Sequence, residues 1–151
     1  MTTPAYIQLQ RWWSQDGEDM ETEGISNHRI LELEQRYKLV LPDDFRDYLS
    51  LSCPIEQGWD CETTSWWNFE RIKNIPEEFQ GDLEPFIADG GSKYLIFADY
   101  SIWCWAWAIS CAADETYGKV AMIAGRGYDR LVADSFLDFV QKYISDVRSV
   151  C

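Results

Sequence analysis

The chain has 151 residues, 46% of them apolar and 15% aromatic, with eight Trp. That is enough to bury a core within a single domain, 1–151, and it excludes a disordered tail or a disulfide-stapled miniprotein. Thirteen bases against twenty-six acids leave a net charge of −13, a field that repels nucleic acid and anionic membranes and attracts basic proteins.

Residues 1–24 read as an N-terminal helix and an acidic loop. Tyr6, Ile7, Leu9, Trp12 and Trp13 suit a short amphipathic helix. The loop holds Asp16, Glu18, Asp19, Glu21 and Glu23 and no base; it is either a solvated surface or a steering patch for a basic partner. Ser26 is placed to cap a second helix, whose apolar face is Ile30, Leu33 and Tyr37. Leu41-Pro42 interrupts it and opens a third, with Asp43 and Asp44 favoured by the helix dipole and Phe45, Tyr48, Leu49 and Leu51 inward. Residues 53–65 read as a loop, 66–72 as a strand, Ile75 to Gly81 as a turn or short helix, and Asp89-Gly90-Gly91 as a turn.

The second half reads as β. Tyr94 to Ala98 is an apolar run. From Trp103 to Ser110 large and small residues alternate, which predicts one strand with Trp103, Trp105, Trp107 and Ile109 on one side and Cys104, Ala106, Ala108 and Ser110 on the other. The large face is either core or an open aromatic stripe. Lys119 to Ala124 is another strand. Phe136, Phe139, Val140, Tyr143 and Ile144 form the face of a closing helix capped by Asp134 or Ser135. Helices first, then strands joined by short links, then a helix, point to an α+β fold with antiparallel pairing.

Chemistry finds little support. His28 is the only histidine, which weakens histidine-based catalysis and multi-histidine metal sites. Cys53, Cys61, Cys104, Cys111 and Cys151 show no C-x-x-C pairing and read as free thiols. No phosphate-loop or dinucleotide motif occurs, and the acidic loop lacks the EF-hand pattern. We therefore expect no catalytic residue, cofactor or metal. No secretory signal or membrane span is visible, so a cytoplasmic protein is expected. The aromatics are more informative, because a partly exposed Trp can anchor an interface. Trp59, beside Asp60 and Glu62, and Trp66, Trp67 and Trp103 are candidates for partner binding, alongside the acidic loop.

Leu33-Glu34 through Leu41-Pro42-Asp43-Asp44-Phe45-Arg46-Asp47-Tyr48-Leu49 resembles a signature of the SUKH superfamily, which includes fungal cell-wall synthesis regulators and many bacterial toxin-immunity proteins. Tyr94-Leu95-Ile96-Phe97-Ala98-Asp99 is similar to its central strand, Tyr117-Gly118-Lys119-Val120 to a later one, and Ala133-Asp134-Ser135-Phe136-Leu137-Asp138-Phe139 to its closing helix. The four matches occur in family order over 30–146. The chain departs from the pattern after Leu49 and at Tyr100-Ser101-Ile102-Trp103, where binding loops are expected to differ. The resemblance implies a bent, mostly antiparallel sheet with helices packed on it. It also implies direct protein binding rather than catalysis, in bacterial members neutralisation of a cognate toxin, often a nuclease. Asp99, closing the central strand, joins the candidate binding residues on that basis. The alternative is a regulatory or scaffolding module.

Overall fold

The computed structural model describes residues 2–15 and 20–151. Helix α1 (Ala5–Trp13) buries Ala5, Leu9 and Trp13. Strand β1 (Thr22–Glu23) leads into α2 (Asn27–Tyr37), where the Ser26 hydroxyl accepts the Arg29 N–H and Ile30, Leu33 and Tyr37 are buried. This helix stops at Tyr37, well before Pro42, because Lys38 takes a left-handed conformation with φ of 54°. The Lys93 ammonium donates to the Tyr37 and Lys38 carbonyls at 2.6 and 2.9 Å, satisfying acceptors that a helix end leaves open. Helix α3 (Asp43–Ser52) buries Phe45, Tyr48 and Leu49. Leu51 is exposed, a correction to its expected place on the inner face.

The stretch 53–65 is not a plain loop. It carries β2 (Cys53–Pro54), β3 (Gly58–Trp59) and the start of β4 (Thr64–Trp66), while the expected strand over 66–72 ends at Trp66 and continues as a 3-10 turn, Phe69–Arg71. Then follow β5 (Lys73–Asn74), the single-turn helix α4 (Ile75–Glu78), and a 3-10 turn at Ala88–Gly91 whose Gly90 and Gly91 have φ of 64° and 81°. The remaining strands are β6 (Tyr94–Tyr100), β7 (Trp105–Ser110), β8 (Val120–Ile123) and β9 (Arg130–Ala133), before α5 (Phe136–Ser145) and a 3-10 turn at Val147–Val150.

Seven strands form one antiparallel sheet in the order β3-β4-β6-β7-β8-β9, with β5 also on β6; β1 and β2 pair separately. The fold is α+β. A register shift between Ile96 and Ala98 bends β6, which brings Phe97 onto the helical side: its ring packs on Phe45, Phe136, Phe139 and Trp66. Trp107 meets Phe139 and Tyr143 of α5 on the same side.

The alternation from Trp103 to Ser110 does not make a single strand. Ser101, Ile102 and Trp103 all have positive φ, of 46°, 56° and 62°. The chain turns there and β7 begins only at Trp105. Trp103 consequently leaves the Trp105–Trp107 row and stacks on Phe79 at 5.9 Å, near Trp67. The row itself is core rather than an open stripe: Trp107 is fully buried, and Trp105 is half-buried against Tyr100.

Candidate protein-interaction site

The hairpin β3–β4 separates two tryptophans. Its register pairs Gly58 with Trp66 and Trp59 with Ser65, so successive side chains point to opposite sides. Trp66 is 0% exposed, in a cage of Trp13, Phe97, Phe139 and Tyr143. Trp59 is 50% exposed. It sits on the strand at the sheet margin, which pairs only with β4 and so leaves one side of its backbone without a strand neighbour.

An acidic hollow lies beside the same strand. Met20, Glu21, Ile55, Glu56, Gln57 and Gly58 line a shallow hollow of about 400 Å³. The Ile55 N–H donates to the Glu21 carbonyl at 3.0 Å, tying the end of the acidic segment to the chain that leads into β3. Glu21, Glu56 and Glu62 form no ion pair with any described base. Unneutralised carboxylates on the chain flanking a half-exposed indole provide a negative field and an apolar anchor within one hairpin region. Glu23 belongs elsewhere, 3.7 Å from Arg29, which also pairs with Glu70. Asp16, Glu18 and Asp19 lie outside the described residues.

Asp60, expected to be a steering acid, is turned into the fold. Its Oδ2 accepts from Trp12 Nε1 at 3.0 Å, Trp66 Nε1 at 2.9 Å and the Tyr143 hydroxyl at 2.5 Å, and its Oδ1 accepts the N–H groups of Glu62 and Thr64. Burial, with this carboxylate beside it, holds the Tyr143 hydroxyl well above the ordinary phenol range. Asp99 is likewise internal: 3% exposed, it accepts from Trp67 Nε1 at 2.7 Å and from the Trp103 N–H at 2.9 Å. Trp66 and Trp67 are both 0% exposed and offer no surface to a partner. Trp66, Trp67 and Asp99 are corrected from partner contacts to parts of the core, and Asp60, partly exposed, is corrected to an internal acceptor whose two oxygens already serve five donors. Trp103 keeps partial exposure. Glu56 and Ile55 were missed; each follows from the turn that exposes β3, which no local pattern announced.

Among the described residues, no group of three or more His, Cys, Asp or Glu could hold a metal ion. Burial pushes the Cys53 thiol up to about 12 and the Cys111 thiol higher still. His28 is exposed and pairs with Glu32 one helical turn on. No described helix is long and apolar enough to cross a membrane.

A profile of the SMI1/KNR4 family (SUKH-1) matches residues 24–142. The chain belongs to that family. The match runs from the approach to α2 into α5, so Glu56, Trp59 and Glu62 lie within the SUKH-1 domain while α1, Met20 and Glu21 precede it. No curated protein matches the chain.

Proposed function

We propose that this SUKH-1 domain is a non-catalytic, cytoplasmic immunity protein that binds a cognate bacterial toxin domain and blocks it by direct contact. The observation that carries the reading is Trp59, half exposed on a marginal strand, with the unpaired acids Glu56 and Glu62 flanking that strand in the chain and Glu21 on the segment hydrogen-bonded to Ile55. A nuclease toxin presents a basic groove to its substrate; a chain of net charge −13 is steered toward such a groove and can occupy it. Trp59 then supplies a desolvated anchor, while the acids at the rim act mainly on the association rate. Family membership supports the reading, because SUKH proteins include immunity proteins. Burial raises the Cys53 and Cys111 thiols, which keeps those two in the unreactive protonated form.

The test is co-expression with the toxin encoded beside this gene. Cells are expected to survive and the two proteins to co-purify. Unrelieved toxicity with no complex would overturn the proposal. A neighbourhood without a toxin would turn the reading to the second one, a regulatory or scaffolding module using the same rim on a host partner.

A further inference from the structure

A second recess is built from different residues. A hollow of about 610 Å³ opens between α4 and the 88–91 turn, lined among others by Pro76, Phe79, Asp82, Leu83, Glu84 and Pro85. Its lining includes two carboxylates and no base, and neither Asp82 nor Glu84 pairs with a described cation. The wall is fixed. The Phe79 ring lies nearly parallel to Trp103, at 12°. A Cβ on Gly81 would come within 2.4 Å of the ring, and one on Gly125 within 2.7 Å, so both positions need glycine for the ring to lie there. Asp129, 5% exposed, clamps the two sides by accepting from the N–H groups of Glu84 at 2.9 Å, Ala124 at 2.8 Å and Gly125 at 2.6 Å. A site held this way loses little entropy when filled.

We propose that this hollow receives an arginine side chain from a partner protein, its guanidinium on the Phe79 ring and its N–H groups toward Asp82 and Glu84. An aromatic ring and two carboxylates in one lining suit a planar fork of donors better than the point charge of lysine. The chain itself uses the arrangement: the Arg29 guanidinium lies 4.9 Å over Phe69 while pairing with Glu70, and Arg71 lies 4.0 Å over Trp67. The proposal rests on the reading that this domain binds a basic protein, but its test needs no toxin.

The full chain, labelled with ¹⁵N, is titrated with N-acetyl-arginine amide, N-acetyl-lysine amide and the neutral N-acetyl-citrulline amide. Saturable amide shifts are expected at Gly81, Gly90 and Gly125 with the arginine probe, and binding about fivefold or more weaker with the other two. Asp82→Asn/Glu84→Gln is expected to weaken the arginine probe to the same degree while the spectrum stays dispersed. If that double variant loses dispersion, Asp82→Asn alone, at an exposed position, carries the comparison. Equal binding of citrulline or lysine, shifts that map away from the hollow, or no saturable shift would overturn the proposal. Such a failure alongside toxin rescue would leave the immunity reading standing; arginine binding without rescue would do the reverse.

Discussion

The Tyr143 hydroxyl donates to Asp60 Oδ2 at 2.5 Å across 83 residues of sequence. That bond joins the closing helix to the turn of the β3–β4 hairpin, and the same carboxylate oxygen also receives the indole N–H groups of Trp12 and Trp66. Removing Asp60 strands five donors, these three side chains and the N–H groups of Glu62 and Thr64 on Oδ1. Asp60→Ala is expected to lower the unfolding free energy by about 3 kcal/mol, and Tyr143→Phe by about 1–2 kcal/mol, in urea titrations followed by circular dichroism. An Asp60→Ala variant as stable as the wild type would return Asp60 to the solvated rim.

Asp44 is a second cross-link. Its Oδ2 accepts the Leu137 N–H at 2.9 Å, 93 residues on, while Ser135 accepts the Asp138 N–H at 2.9 Å. Two carboxylate or hydroxyl acceptors thus serve the first turn of α5, where N–H groups lack partners. Asp44→Ala is expected to cost about 1 kcal/mol and Ser135→Ala a similar amount, read as shifts of the urea midpoint. No shift in either would dismiss these caps.

Alkaline pH should unfold the chain early. Burial raises the folded-state pKa of Cys53 to about 12 and raises those of Tyr48, Tyr94 and Tyr143 above the ordinary phenol range. Groups raised in the folded state contribute stability that is fully present below their unfolded values, about 8.5 for Cys and about 10 for Tyr, and that is lost as pH climbs beyond them. The urea midpoint is therefore expected to hold near neutrality and to fall from about pH 8.5 upward. Cys53→Ser should flatten the first part of that fall. A midpoint unchanged through strongly alkaline pH would contradict the burial of these groups.

Much of the fold was legible because its helices announce themselves twice, by a capping residue and by apolar spacing, as at Ser26 with Ile30, Leu33 and Tyr37. The long strands β6, β7 and β8 were legible as apolar or alternating runs. β1, β2, β3 and β5 were not, since a two-residue strand has no period to read. Trp103 misled for a different reason. Size alternation runs unbroken from Trp103 to Ser110, and nothing in the side chains of Ser101–Trp103 betrays three left-handed residues in a row, a conformation that is costly for a β-branched residue such as Ile102. At the candidate site, Trp59 and Asp60 are neighbours in sequence with opposite fates. Only the register of β3 on β4 and the distant partners Trp12 and Tyr143 determine that the indole faces out and the carboxylate in. The Phe79 hollow was passed over as a turn, although acids spaced between Pro76 and Pro85 around Phe79 and Leu83 were its signal.

The central claim, that this domain works by presenting Trp59 to a basic partner, is tested most directly by calorimetric titration of the wild type and Trp59→Ala against the neighbouring toxin domain. Trp59→Ala is expected to keep the wild-type urea midpoint while weakening binding by about 2 kcal/mol or more, roughly thirtyfold. Equal affinity of the two proteins for the toxin would contradict the account.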